Sequence, residues 1–201
     1  NETIFRQQFA NWRVTVRSEE TPAEPHMTVT QTPPQTINEP TAWRGADMAA
    51  DPSIWLTELS ETDIAELEAA AAHYLSLGRD VGEISADAFP LPSLGSRLEA
   101  LRATLIQGRG FEVLRGLPVS GYSQETAAAI FCGIGAHLGS ARSQNAAGHI
   151  LGHVRDLGAD PDDTATRIYQ TNARQSFHTD SADVVGLLCL REANEGGDSL
   201  L

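Results

Sequence analysis

Apolar residues recur at helical spacing in two stretches of the chain. Ile64, Leu67, Ala71 and Leu75 follow Ser60, a candidate N-cap with Asp63 three residues on, and Gly78 stops the run. Leu94, Leu98, Leu101 and Leu105 predict a second amphipathic helix from Leu94 to Gln107, closed by Gly108. A third helix is expected over Gln124 to Cys132. The period shortens elsewhere. Phe111 to Arg115 alternates as a strand, with Gly116-Leu117-Pro118 as its turn. Leu151 to Asp156 and Arg167 to Asn172 read as strands on either side of an acidic loop, 158–163. Val184 to Leu190 is an unbroken apolar run, the pattern of a strand buried on both faces at the centre of a sheet. Helices first and short strands afterwards predict an α+β fold.

The first 42 residues break this patterning. Pro22, Pro25, Pro33, Pro34 and Pro40, interleaved with Thr, Gln and Glu, predict an extended or disordered arm, with the ordered domain beginning near Trp43 and running to Leu201. Met27 is a candidate natural start, which would make residues 1–26 upstream sequence. The aromatic Trp43, Trp55 and Phe111 are expected to fill core.

At 201 residues, 41% of them hydrophobic, the chain suffices for one domain with a substantial core. A net charge of -13 disfavours nucleic acid and anionic membrane as partners, since both demand a positive surface. No apolar run approaches the roughly 20 residues of a membrane span. All 14 basic residues are arginine, so Schiff-base lysine chemistry is excluded within the chain. Cys132 and Cys189 sit in apolar contexts and do not make a disulfide framework, which fits a reducing, cytoplasmic setting.

The chemistry concentrates in Phe177-His178-Thr179-Asp180. Side chains at i and i+2 of an extended segment leave on one side, so His178 and Asp180 can reach one metal. An imidazole and a carboxylate are two thirds of the 2-His-1-carboxylate set that holds Fe(II) on one face and leaves positions open. No histidine follows His178 in this sequence. Two other patterns carry less. Gly133 to Gly139 mimics a dinucleotide fingerprint but has a helix, not a strand, before it, and reads as a helix end packed closely on the sheet. His149 and His153 have the i, i+4 spacing of a helical zinc pair, but Gly148 and Gly152 oppose a helix there.

The setting of His178 and Asp180 carries a resemblance. Arg167 to Asn172 precedes them, and Asp183 to Leu190 and then Glu195-Gly196-Gly197-Asp198-Ser199-Leu200 follow. Upstream lie Gly108 to Val119, Gly133 to Gly139, Ser143 to His149 and Gly152 to Asp156. In these motifs and their order, residues 43–201 resemble the N-terminal portion of the taurine dioxygenase (TauD/TfdA-like) family. The resemblance implies a double-stranded β-helix, or jelly-roll, of the clavaminate synthase-like kind, with flanking helices and its C-terminal part missing from this chain.

It further implies an Fe(II)- and 2-oxoglutarate-dependent dioxygenase. Such an enzyme uses O2 to oxidise, by default hydroxylate, a small organic molecule, and releases succinate and CO2. His178 and Asp180 would be iron ligands, and Ser199 would bind the far carboxylate of 2-oxoglutarate, standing where relatives more often carry threonine. The retained carboxylate of Asp180 argues against halogenation. A downstream segment or a second chain would supply the distal histidine and the arginine that grips 2-oxoglutarate. Gln170, Asn172 and Arg174 are the expected substrate-pocket residues, with Gln144 and Asn145 as lesser candidates. A homo-oligomer is compatible with this reading. The alternative from another class is a non-catalytic jelly-roll that binds a small molecule or a partner chain.

Overall fold

The computed structural model describes residues 6–14, 39–144, 148–160, 162, 166 and 168–192. Its elements are β1 (Arg6–Arg13), α1 (Gly45–Ala50), β2 (Leu56–Glu58), α2 (Glu61–Ser76), α3 (Leu94–Gln107), β3 (Val113–Arg115), α4 (Gln124–Leu138), β4 (Ser140–Arg142), β5 (Gly152–Val154) and β6 (Val184–Arg191). Helix and sheet are mixed. An antiparallel sheet has β1 between β6 on one side and β4 and β5 on the other, and a parallel pair, β2 with β3, stands apart from it.

The helices start where local chemistry can satisfy their free amides. Ser60 and Asp63 form a reciprocal capping box at α2, and Ser123 accepts from the Thr126 amide at α4. Helix α3 has no cap of its own. Instead Glu66 on α2 accepts from the amides of Ser93 (2.8 Å) and Leu94 (3.2 Å), so one helix caps another and fixes their crossing. Asp63 is also buried against Arg97 of α3 at 2.6 Å. Burial pushes the Asp63 carboxyl upward, but the bonds from Arg97 and Ser60 outweigh it and hold the group below its ordinary value.

Helix α4 is apolar nearly all round, the signature of a helix covered on both sides. Ala129, Ile130 and Leu138 join Leu67, Tyr74, Phe89 and Leu98 in the interhelical core. Phe131, on the other side, packs with Ala10, Trp12, Val14 and Val184 of the sheet layer. The layers therefore run α2 and α3, then α4, then sheet. Trp43, Trp55 and Phe111 form a separate, half-buried aromatic group, with centroids 4.8 and 6.0 Å apart, and stand outside both clusters.

Four expectations need correction. The first 42 residues are not all an arm: residues 6–13 form the interior strand of the sheet, with Ala10 and Trp12 buried. The proline-rich composition belongs to residues 22–40, whereas Ala10, Trp12 and Val14 alternate with Asn11 and Arg13, a period-2 pattern with one face inward. Residues 15–38 lie outside the described ones. Nor is Ile168 to Gln170 a strand; it is a turn of 3-10 helix. The Thr171 amide and hydroxyl both bond the Ile168 carbonyl, at 2.9 and 2.8 Å, which closes the turn locally in place of a ladder.

Strand β6 is not buried on both faces: Val184 is inward while Val185 and Leu187 are exposed, and β1 holds the interior position. Finally, α4 runs past Cys132 to Leu138, so Gly133 and Gly135 lie within a helix. They are there for closeness. A Cβ on Gly133 would fall 2.5 Å from the Phe89 ring, and one on Gly135 1.9 Å from the Trp12 indole.

That overlap reverses an ordinary rule. Glycine to alanine inside a helix stabilises by about 1 kcal/mol on propensity alone, but Gly135→Ala should destabilise by about 1–3 kcal/mol because the tryptophan must move. Gly95→Ala in α3, where the new methyl meets only ordinary contacts near 3.8 Å, should be neutral or stabilising. Urea unfolding of both variants checks the contrast.

Asp63→Ala should cost about 1.5–3 kcal/mol at neutral pH, the range for hydrogen bonds to a charged group. Because the folded-state pKa is depressed, this contribution is complete above the unfolded carboxyl's value and is lost as pH falls through the folded one. The gap between parent and variant should therefore close in acid, which denaturant melts across pH 2–7 would show.

Candidate active site

The segment from Thr171 to Asp183 links the 3-10 turn to β6, and both of its ends are tied down. At the near end, the amides of Arg155 and Leu157 donate to the carbonyls of Tyr169 (3.1 Å) and Gln170 (2.8 Å), fastening the turn to the chain beyond β5. At the far end the Asp183 carboxylate accepts from the Val14 amide at 2.9 Å, fastening the start of β6 to the end of β1.

Between these anchors lie His178 and Asp180. Nδ1 of His178 is 3.0 Å from the Ser176 carbonyl, which can only accept, so Nδ1 carries a proton and donates it there. In the neutral ring Nε2 is then the lone-pair nitrogen. Gln175 places its carboxamide nitrogen 3.2 Å from Nε2, and Asp180 Oδ2 stands 4.0 Å from the same atom. The His178 and Asp180 side chains are 48% and 43% exposed, so the pair opens to solvent.

An imidazole nitrogen oriented through its other nitrogen, beside a carboxylate, is a fitting donor set for a first-row divalent metal. A metal held by both on one face would need the two atoms nearer than the 4.0 Å that separates them here, a closure that two half-exposed side chains can make by rotating. Among the described residues no third histidine, cysteine, aspartate or glutamate joins the pair.

The remaining expected site residues fall out unevenly. Gln170 is half-buried in the 3-10 turn, and Asn172 and Arg174 are exposed beyond it. The strand alternation that would aim Gln170 and Asn172 to one side is absent because the chain turns there. Gln144 is committed to the scaffold: its Oε1 accepts from Asn11 at 3.1 Å and its Nε2 donates to the Arg142 carbonyl at 2.8 Å. Ser199 and Asn145 lie outside the described residues. Gln175, the side chain that does touch His178, is one that sequence reasoning missed. Its only signal is three-dimensional.

Other chemistry finds little footing. His153 sits in β5 opposite Gln8, and His149 lies outside any helix, so the two do not share a helical face. Burial lowers the His153 pKa, with Arg155 adding to the effect. The Cys132 thiol is buried, which pushes it up to about 12 and leaves it a poor nucleophile. Two small concavities lie elsewhere, one between α3 and the β2–β3 pair and one beside Trp12 and Cys132, and neither is lined by His178 or Asp180. No helix among the described residues is long and apolar enough to cross a membrane.

Residues 73–201 match the family described as Taurine catabolism dioxygenase TauD, TfdA family. Among curated proteins, the chain is 31% identical over 172 residues to Taurine hydroxylase-like protein SAT17 of Stachybotrys chartarum, covering 82% of this chain and 44% of that protein. It is 33% identical over 157 residues to FR-33289 synthase of Streptomyces rubellomurinus, covering 78% of this chain and 46% of that protein. The chain thus spans somewhat less than half the length of these relatives. With the family match running through the His178 and Asp180 segment into β6, the chain belongs to the TauD/TfdA family.

Proposed function

We propose that this chain is part of an Fe(II)- and 2-oxoglutarate-dependent dioxygenase that oxidises a small organic molecule, most simply by hydroxylating it, with release of succinate and CO2. The observation that carries the reading is the His178–Asp180 pair, with Nδ1 facing the Ser176 carbonyl and a carboxylate oxygen 4.0 Å from Nε2, in a member of this family. Within the same proposal the fold is a double-stranded β-helix. Iron, when bound, supplies the activation of O2 that drives decarboxylation of 2-oxoglutarate and oxidation of the substrate.

The chain's own residues have defined tasks in this scheme. Ser176, through its carbonyl, keeps the proton on Nδ1 and so leaves Nε2 available as a ligand. Asp180 would offer a carboxylate oxygen as the second ligand and balance part of the metal's charge. Asp183, bonded to Val14, holds the exit of the segment against the sheet so that the two ligands keep their separation. Arg174 is exposed and is assigned to an anionic group on the substrate, for which a planar guanidinium is suited. Gln170 and Asn172 are assigned to its polar groups. Ser199 is assigned a hydrogen bond to the far carboxylate of 2-oxoglutarate. The relatives' names suggest small organic substrates for them, and we extend that class, with no particular compound, to this chain.

Succinate formation decides the reading. In the complete protein, His178→Ala or Asp180→Ala should abolish substrate-dependent succinate release while the circular dichroism spectrum stays native, since both side chains are about half exposed and contribute little packing. Full turnover in either variant would refute the ligand assignment, and a protein that binds small molecules but releases no succinate would be a binding module instead.

Ser199→Ala gives a separate test. A hydrogen bond to a charged group is worth roughly 1.5–3 kcal/mol, and about 1.4 kcal/mol is tenfold in affinity. The 2-oxoglutarate concentration for half-maximal rate should therefore rise about ten- to a hundredfold, with most of the rate regained at saturation. Ser199→Thr should be close to neutral. An unchanged 2-oxoglutarate dependence in the alanine variant would remove Ser199 from the site.

A further inference from the structure

Two polar contacts on one imidazole ring fix more than its tautomer. Nδ1 of His178 faces the Ser176 carbonyl at 3.0 Å, and Nε2 faces the Gln175 carboxamide nitrogen at 3.2 Å. A carbonyl only accepts and an amide NH2 only donates. Both contacts are satisfied at once by a single arrangement, in which Nδ1 is protonated and the Nε2 lone pair receives a hydrogen bond from Gln175. That lone pair is the one a metal would take, and it cannot serve both. Asp180, at 4.0 Å, is beyond hydrogen-bond distance of Nε2, so Gln175 is the nearer competitor.

We propose that Gln175 is a placeholder on the metal-accepting nitrogen of His178. Its carboxamide donates to the nitrogen that a metal would take, and a metal would bind there only as that side chain swings away. This inference rests on the reading of His178 as a metal ligand. Gln175 is exposed, so its amide exchanges one partner for water when it leaves. The device therefore sets the affinity by a modest factor and does not block the site. It also explains why the ring is held at both nitrogens in a segment that is otherwise open to solvent.

The test compares the complete wild-type protein with Gln175→Ala and Gln175→Met. Both variants lose the donor, and methionine retains the length of the side chain should alanine disturb the loop. Titration with Co(II), and with Fe(II) under anaerobic conditions, reads the metal affinity by calorimetry and by Co(II) absorbance. The dissociation constant should fall about two- to tenfold on removal of one neutral hydrogen bond. In metal-free samples the imidazole 15N signals of His178 should show Nδ1 protonated, and the Nε2 signal should shift in both variants.

Metal binding no tighter than wild type in the methionine variant would overturn the proposal, as would an Nε2 signal unmoved by either substitution. His178→Ala separates the levels of the argument. If it abolishes metal binding while neither Gln175 variant tightens it, the placeholder alone is wrong. If wild-type metal binding does not depend on His178, the ligand assignment fails and the placeholder with it.

Discussion

The indole of Trp12 joins the sheet to helix α4. It is 2% exposed, meets Phe131 of α4 edge-on at 5.5 Å and 81°, and lies where Gly135 of α4 and Gly186 of β6 leave room. Burial of a side chain this size contributes about 4–6 kcal/mol by area, as much as the net stability of many small domains. Neither glycine can gain a Cβ without displacing the ring, since the new atom would sit 1.9 Å or 2.6 Å from it. Helix α4 can approach the sheet this closely only because those two positions carry no side chain.

The site depends on that seam through a short chain of contacts. Trp12 and Val14 hold the end of β1 in the interior, and the Val14 amide in turn holds Asp183. Asp183 immediately precedes β6 and closes the segment that carries His178 and Asp180. Local hydrogen bonds then orient the imidazole within that segment. Rigid layer packing thus ends three residues from Asp180, and the His178–Asp180 pair sits at the boundary between the packed sheet and an exposed connection. This is a common division of labour, with chemistry on a loop and precision borrowed from the scaffold.

What the sequence disclosed was mostly what is encoded locally. Helices α2 and α3 were legible because the Ser60–Asp63 box, the leucine spacing and the glycine stops all act within a few residues. The nearness of His178 and Asp180 was legible because a spacing of two residues along the chain suffices to bring their side chains close. Strand β1 was hidden: its alternation is short, polar residues flank it, and every partner that makes it a strand is more than 120 residues away. The turn at Ile168 to Gln170 was misread for a related reason, as its carbonyls are taken by Arg155 and Leu157 and not by a neighbouring strand. Gln175 carried no pattern at all, because a contact between two exposed side chains leaves no periodic trace.

The pairing of β1 has a consequence for how the protein comes to be folded. Arg6 is matched with Arg191, Asn11 with Arg142 and Gln7 with Val154, so the interior strand, synthesised before all of its partners, finds them only after most of this sequence has been made. Helices α2, α3 and α4 can condense on one another earlier, since their contacts are nearer in sequence. The sheet cannot, and contacts of such long range make for slow closure. During that interval the Trp12 face of β1 and the apolar side of α4 are uncovered hydrophobic surfaces, the condition under which nascent chains aggregate or engage chaperones.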